Sequence, residues 1–290
     1  GLTASLWAEG QRDLFSLYLA VRALEPFVGR GAGATALLKR LKKAILPQHE
    51  DPDIAFLLSF TDYVLSPSAE KSERGAGLKD HLRGGMPWFL YQLALSVATD
   101  FYTRGDYERV RDLVGRILEG ITSAEESEEG VESVAIQVHF LLGNVSLNTG
   151  DATGAQVLYE KALEKARATG SYRDQIKAHN NIASAKYYIG YSYEAIIHEL
   201  NKSVNLGKQA GDEASIVVPL SNIAELYADN FYYKEAYTTI AEAMRYVKKE
   251  DKRRYLVVLD QLIAIVTQMG DFKKARYLSS LMKKSAKSIN

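Results

Sequence analysis

The hydrophobic positions of this chain recur at helical spacing, and the pattern itself repeats. Five segments align on a small or apolar anchor residue, and in each segment another such residue lies 12 positions earlier. The anchors are Val110, Ala155, Ala195, Ala236 and Ala275, which are 45, 40, 41 and 39 residues apart. A fixed period of this length predicts a repeat protein in which each unit is one supersecondary element.

Each repeat is predicted to be a helix–turn–helix unit. Its first half is apolar at helical spacing, as in Val138, Leu141, Leu142 and Val145. A residue suited to the left-handed backbone conformation then ends the helix, and in four repeats this residue is glycine. These glycines are Gly105, Gly150, Gly190 and Gly270. No stretch alternates apolar and polar residues convincingly, so we expect essentially no β-sheet.

The segments Leu141–Leu163 and Ala178–Ile196 resemble the tetratricopeptide repeat almost position by position, and the likeness extends over about residues 88–290. The spacing is nearer to 40 residues than to the family's usual length of about 34, as in its longer variants. The resemblance implies an all-α fold, a right-handed superhelical α-solenoid of about seven antiparallel helix pairs. It also implies a concave groove that binds proteins or peptides without catalysis.

Three departures from the repeat pattern lead to local expectations. Phe231 occupies a glycine position, so Asn230 is expected to be the left-handed residue one step earlier. After Ala195 the apolar pair falls one residue late, at Leu200 and Ser203, which predicts a bulge or shifted turn in that helix. The acidic stretch Glu125–Glu132 is interpreted as a solvated connection that accounts for the longest spacing.

Residues 1–82 carry a weaker pattern, with helical segments predicted at 11–28, 33–46, 51–65 and 68–82. These lengths predict two further helix pairs that are degenerate in sequence, as terminal repeats often are. We therefore divide the chain into degenerate N-terminal repeats, 1–82, and a repeat array, 83–290, that ends in a capping helix. Both parts are expected to form one continuous solenoid.

Composition narrows the possible compartments and partners. The 290 residues include 36 basic and 36 acidic side chains and no cysteine. The balanced charge gives no global attraction to nucleic acid or an anionic membrane, and the basic run Lys248–Arg254 is interpreted as a solvated face. The absence of cysteine fits a reducing, cytoplasmic setting. Because the chain begins with Gly1 rather than methionine, it is interpreted as an excised domain or as carrying a tag remnant. Other domains of a longer chain are therefore among the possible partners.

Candidate catalytic chemistry is scarce. The five histidines are scattered, with no pair at helical ligand spacing, so no metal site is predicted. The glycine-rich stretch 29–35 lacks both the Gly-Lys-Ser/Thr ending and the preceding strand of a phosphate-binding loop, and it is interpreted as an interhelical loop. We therefore predict no enzyme activity and no cofactor.

The positions that a tetratricopeptide superhelix would turn toward its concave groove carry mostly amides and hydroxyls. An amide can both donate and accept a hydrogen bond, which suits it to gripping a peptide backbone. The residues predicted to bind a partner are Gln137, Asn144, Lys177, Asn180, Asn181, Ser184, Tyr187, Ser221, Asn222, Glu225 and Gln261.

Two alternatives remain open for the asparagines at these positions. They are poor helix formers, and they could lie on an ordinary solvated face or bridge successive repeats through hydrogen bonds. If the groove grips a peptide, Asn181 and Asn222 should be the central pair, because they hold the same position in adjacent repeats. Some tetratricopeptide domains clamp a C-terminal carboxylate with cationic residues, but Phe140, Val218 and Asn222 occupy those places here. A chaperone C-terminal tail is therefore not the expected ligand.

Two classes of function agree with the sequence. The first is a binding scaffold that holds a protein or peptide segment in its groove. The second is the sensing domain of a larger transcriptional regulator or signal-transducing ATPase, in which a peptide or small molecule alters the superhelix. A DNA-binding or nucleotide-binding segment elsewhere in a longer chain would favour the second.

Overall fold

The structure, a computed structural model, describes residues 11–28, 32–122, 129–248 and 251–286. These residues form fourteen α-helices and three short 3-10 helices, and none of them is in a β-strand. The predicted all-helical fold class is therefore confirmed, and fourteen helices are the number that seven pairs require. None of the described helices is both long enough and apolar enough to cross a bilayer.

The chain divides into two compact units, Gly1–Val145 and Ser146–Asn290. This division does not test the predicted boundary at residue 82, which concerns the regularity of the repeats and stays a prediction. The helices of the first unit are α1 (Gln11–Leu24), α2 (Ala32–Ile45), α3 (Pro52–Leu65), α4 (Ser68–Gly77), α5 (Trp88–Thr103), α6 (Tyr107–Thr122) and α7 (Glu129–Asn148), whose last turn crosses the division.

Helices α1 to α4 match the segments predicted in the N-terminal region. Asp51 accepts hydrogen bonds from the backbone N–H groups of Asp53 and Ile54 and so caps α3, with Pro52 in the first turn where its missing donor does no harm. Within this unit, neighbouring helices pack in pairs around a core that contains Phe56, Phe60 and many aliphatic side chains.

The first unit corrects one expectation from the sequence. The acidic stretch Glu125–Glu132 is not wholly a connection, because α7 begins at Glu129. The carboxylate of Glu132 lies near the start of this helix, where a negative charge interacts favourably with the partly positive helix end. Residues 125–128, and residues 29–31 of the glycine-rich stretch, lie outside the described residues.

The second unit is built from regular helix pairs. Its helices are α8 (Ala152–Ala168), α9 (Tyr172–Ile189), α10 (Tyr193–Ala210), α11 (Val217–Asp229), α12 (Tyr233–Tyr246), α13 (Lys252–Gln268) and α14 (Phe272–Ala286). Helices α9 and α10, α11 and α12, and α13 and α14 pack as successive pairs, as the repeat predicts. The predicted turn glycines Gly150, Gly190 and Gly270 have φ angles of 87°, 92° and 81°.

Short polar side chains start most helices of this unit, which explains where the sequence breaks into elements. The side chains of Asp151, Ser171, Ser192 and Asp251 each accept a hydrogen bond from the backbone N–H three residues later. Such caps satisfy donors that the first helical turn leaves free. The anchors Ala155 and Ala236 are fully buried, whereas Ala195 is only partly buried.

Two expectations about the second unit were wrong. Phe231, and not Asn230, is the left-handed residue, with a φ of 65°. Asn230 instead donates its side-chain amide to the carbonyl of Leu226 and closes the last turn of α11. Helix α10 runs without a bulge through Leu200 and Ser203. A polar residue is tolerated at the buried position because the Ser203 hydroxyl donates to the Ile176 carbonyl at 2.8 Å.

Candidate functional site

A cleft of about 320 Å³ lies among helices α9, α10 and α11 of the second unit. Its apolar lining comes mainly from Ile196 and Leu200 of α10, together with Ala183 of α9 and Leu226 of α11, all four of them buried side chains. Its polar lining comes from α9 and α11, the first helices of two successive pairs. The polar lining residues are Ser184, Tyr187, Tyr188, Asn222, Glu225 and Asp229.

Small residues and one amide bridge set the geometry between α9 and α11. Ala183 and Ala224, the small repeat positions, are both buried. The Nδ2 of Asn222 donates to the Oδ1 of Asn180 at 2.9 Å, so the two helices are joined side chain to side chain. Ser184 donates its hydroxyl to the Asn180 carbonyl at 3.3 Å, within its own helix. Both contacts fix polar groups beside the cleft.

Aromatic and acidic side chains form the rim of the cleft. Tyr187 and Tyr188, in the last turn of α9, are 52% and 69% exposed, with ring centroids 5.5 Å apart and planes at 89°. Glu225 and Asp229 are also exposed and are four residues apart on α11. Within the described part of the chain, neither carboxylate takes part in an ion pair.

A buried charged cluster joins α9 to α10 close to the cleft. Glu199 is 4% exposed, and its Oε1 lies 2.6 Å from the Nδ1 of His179, which is 3% exposed. Its Oε2 accepts hydrogen bonds from Lys186 at 2.7 Å and Lys202 at 3.2 Å. Burial by itself raises the pKa of Glu199, but the hydrogen bonds from His179, Lys186 and Lys202 outweigh it and hold the pKa well below its ordinary value.

This cluster is a structural element of the α9–α10 pair. Its carboxylate is buried and has three partners, so its charge is already compensated within the protein. The cluster affects the cleft only indirectly. Glu199 pairs with Lys186, which lies on α9 next to the rim residue Tyr187, and so holds this lysine in the cluster. The Lys186 ammonium also lies 5.8 Å from the ring centroid of Tyr191, which is not among the cleft residues.

The cleft brings together four of the residues predicted from the sequence, namely Ser184, Tyr187, Asn222 and Glu225. Asn180, Asn181 and Lys177 are on α9 but do not line the cleft. Ser221 is 7% exposed, and the side-chain oxygen of Gln261 on α13 is buried without a hydrogen-bond partner among the described atoms. Gln137 and Asn144 are on α7, in the first unit, where both are partly buried.

Sequence reasoning missed Tyr188, Asp229 and the apolar floor formed by Ile196 and Leu200. The missed polar residues lie one helical turn beyond Ser184 and Glu225, in the final turns of α9 and α11. On each helix, the last groove position assigned from the repeat lies one residue before the missed residue. Only the spacing of four residues from Ser184 and Glu225, which places side chains on the same helix face, could have indicated Tyr188 and Asp229. Ile196 and Leu200 are buried in the core and also line the cleft.

Solved structures share this fold. Apo RapI matches with a TM-score of 0.69 at 14% identity, over 99% of this chain and 77% of that one. A Rap protein complexed with competence and sporulation factor matches with a TM-score of 0.63 at 16% identity, over 98% of this chain and 77% of that one. The apo quorum sensor NprR from B. thuringiensis matches with a TM-score of 0.57 at 14% identity, over 93% and 75% of the two chains.

No protein-family model matches the chain, and no curated relative matches it either. At 14% to 16% identity, the solved structures establish the arrangement of helices and nothing about the ligand. The chain therefore has the repeat fold predicted from its tetratricopeptide-like segments.

Proposed function

We propose that this protein is a non-catalytic binding module that holds a peptide, or an extended segment of a partner protein, in the cleft among α9, α10 and α11. The observation that carries the proposal is the cleft itself. The cleft has a volume of about 320 Å³ and an apolar floor. The amide of Asn222, the hydroxyl of Ser184 and the ring of Tyr187 also line it. Ligand sites commonly combine an apolar lining with a few polar groups that fix orientation.

The side chains around the cleft suit a peptide better than a featureless apolar ligand. Tyr187 and Tyr188 offer large contact areas at low entropic cost, as tyrosines in binding surfaces do. Asn222 uses one Nδ2 hydrogen on Asn180, which leaves its second hydrogen and its Oδ1 to pair with a peptide group. Leucine and isoleucine at the floor provide the hydrophobic contact for one side chain of the ligand.

The sensing alternative is also supported by an observation. Among the structures with the same helix arrangement, one is a Rap protein in complex with competence and sporulation factor and one is described as a quorum sensor. We therefore propose, as the second candidate, that ligand binding in the cleft changes the arrangement of successive helix pairs and thereby controls another domain of a longer chain. We further propose that the protein works in the cytoplasm, in keeping with its lack of cysteine.

The binding proposal can be tested by selecting peptides from a displayed library of random heptapeptides against the 290-residue chain. The affinity of a selected peptide is then measured for wild type and for Ser184→Tyr, a substitution that adds a ring at the cleft. Ser280→Tyr is the matched control, because Ser280 is an exposed serine on α14 whose hydroxyl also bonds to a carbonyl of its own helix.

The expected result is that Ser184→Tyr weakens peptide binding at least tenfold while Ser280→Tyr leaves it unchanged. Equal binding by all three proteins would place the peptide elsewhere and overturn the assignment of the cleft. For the sensing candidate, small-angle scattering with and without the selected peptide should show a change in the radius of gyration. An unchanged scattering curve at saturating peptide would leave only the scaffold function.

A further inference from the structure

Two free carboxylates face the cleft from the same side of α11. Glu225 and Asp229 are separated by one helical turn, line the same cleft and are exposed. No lysine, arginine or histidine in the described part of the chain lies within ion-pair distance of either one. Like charges at this spacing on a helix repel each other. The protein alone therefore carries an uncompensated negative pair at this site.

The backbone adds to this negative field. Helix α9 ends at Ile189 and helix α11 ends at Asp229, so the cleft residues Tyr187, Tyr188, Glu225 and Asp229 all lie in or next to final turns. The C-terminal end of a helix carries a partial negative charge from carbonyl groups that lack an intrahelical donor. Two such ends meet at one cleft, and each favours a cation.

The basic residue of α9 nearest to the rim does not neutralise the site. Lys186 donates to the buried Glu199 at 2.7 Å, and its side chain is only 18% exposed. Because Glu199 also accepts from His179 and Lys202, this lysine belongs to the cluster between α9 and α10. The charge that would balance Glu225 and Asp229 is therefore not supplied by α9.

The rim also offers aromatic faces. Tyr187 and Tyr188 stand edge to face, and both rings are more than half exposed, so parts of their faces are accessible to a ligand. Ring faces attract cations, and arginine stacks on them more readily than lysine does. Beneath the rim, the buried side chains of Ile196 and Leu200 match the aliphatic stem that lysine and arginine carry below the charged group.

We propose that this cleft is a specificity pocket for a cationic side chain, preferably arginine, of the bound peptide. In this arrangement Glu225 and Asp229 receive the guanidinium, a tyrosine ring covers its face, and the floor contacts its methylene groups. The proposal rests on the proposed function, since it names the residue that the peptide must carry. It predicts a ligand of opposite charge to the acidic tails that cationic tetratricopeptide clamps hold.

The composition of the selected peptides provides the first test. Heptapeptides selected from the random library against the wild-type chain should be enriched in arginine, with lysine second, relative to the unselected library. The same selection against the Glu225→Gln/Asp229→Asn double variant should lose this enrichment. Both substitutions are at exposed side chains, so the variant is expected to fold, and circular dichroism checks that it does.

A thermodynamic cycle provides the second test. The affinities of one selected peptide and of its Arg→Gln counterpart are compared on wild type and on the Glu225→Gln/Asp229→Asn double variant. We expect the peptide change to weaken binding to wild type at least tenfold and to cost less than threefold on the double variant. Glu164→Gln is the control, because Glu164 is an exposed acid on α8 that does not line the cleft. It should behave like wild type.

The outcomes separate the two proposals. Peptides that bind the cleft, as judged by Ser184→Tyr, but show no arginine or lysine enrichment would overturn the cationic pocket and leave the binding function intact. Equal effects of the peptide change on wild type and on the double variant would do the same. If no peptide is selected at all, the proposed function fails, and the pocket fails with it.

Discussion

The side-chain amide of Asn222 donates to the Oδ1 of Asn180 across 2.9 Å, and this hydrogen bond joins the first helices of two successive repeats. The sequence predicted Asn181 and Asn222 as a functional pair, because those residues share a repeat position. The structure instead pairs Asn222 with the residue one step earlier, although Asn222 still lines the cleft. One asparagine thus has both a bridging role and a place beside the candidate ligand.

This bridge predicts a specific coupling energy. A double-mutant cycle on Asn180→Ala and Asn222→Ala, measured by chemical denaturation, should give a coupling of about 0.5–1.5 kcal/mol in the free energy of unfolding. The matched cycle on Asn181→Ala and Asn222→Ala should give a value near zero, because no hydrogen bond joins that pair. A larger coupling for 181 and 222 than for 180 and 222 would contradict the geometry.

The two alanine anchors should respond differently to enlargement. Ala236 is fully buried between helices, so Ala236→Leu should lower the free energy of unfolding by about 1–3 kcal/mol through overpacking. Ala195 is partly buried, and Ala195→Leu should cost less than half as much. The measurement is the denaturation midpoint of both variants. Equal losses would mean that α10 packs more tightly at Ala195 than its exposure indicates.

The repeat period explains why the fold could be predicted while parts of the site could not. Small residues and turn glycines at fixed spacing define where helices approach and end. The turn glycines Gly150, Gly190 and Gly270 of the second unit have the predicted left-handed backbone. The left-handed backbone of Phe231 was not predicted, because this conformation is rare for a residue other than glycine. It is held by the hydrogen bond from the Phe231 N–H to the Ala228 carbonyl, and the side chain is exposed to solvent. The bulge expected near Ser203 is absent because the buried hydroxyl donates to a carbonyl on another helix, which the local sequence could not indicate.

The site depends on relationships that a single repeat does not contain. The cleft forms from two first helices and one second helix, so the contribution of each residue depends on neighbours on other helices, as far as 42 positions away in the case of Asn180 and Asn222. The pairing of Glu199 with His179, for example, joins two residues whose sequence contexts give no sign of each other. Aligning equivalent positions of the repeats can identify which face of a helix a residue lies on. It cannot show which side chains on that face already form hydrogen bonds or ion pairs within the protein.

The left-handed backbone at Phe231 predicts a stabilising substitution. A bulky residue in this conformation costs about 1–2 kcal/mol relative to the right-handed helical region, and glycine avoids that cost. Because the Phe231 side chain is 78% exposed, Phe231→Gly should leave the melting temperature unchanged or raise it. The control Tyr277→Gly removes an exposed aromatic from the middle of α14 and should lower stability by about 1 kcal/mol. A comparable loss from both variants would show that the Phe231 ring contributes contacts.

The buried carboxylate of Glu199 predicts how stability depends on pH. Burial opposes its ionisation, yet the donors His179, Lys186 and Lys202 hold its pKa below the ordinary value of 4.5. A depressed folded-state pKa contributes stability that is fully present above the unfolded-state pKa and is lost as the pH falls through the folded-state value. Glu199→Gln should therefore reduce unfolding free energy at pH 7, by up to about 3 kcal/mol.

The difference between wild type and Glu199→Gln should narrow as the pH falls from about 6 to about 3, since wild type then loses the advantage of its ionised carboxylate. Denaturation curves at several pH values measure this directly. Glu225→Gln, at an exposed and unpaired carboxylate, is the control and should show no comparable narrowing. A difference for Glu199→Gln that stayed constant over this range would mean that the carboxylate contributes through packing alone.

Photo-cross-linking can locate the peptide-binding site directly, because it identifies the residues that a bound peptide contacts. A selected heptapeptide carrying a photoreactive phenylalanine analogue is irradiated with the protein, and the cross-linked residues are identified by mass spectrometry. If the peptide occupies the cleft, cross-links should fall within 183–200 and 222–229, the segments that line it, and should be lost in Ser184→Tyr. Cross-links confined to other segments, or unaffected by Ser184→Tyr, would show that the peptide binds elsewhere.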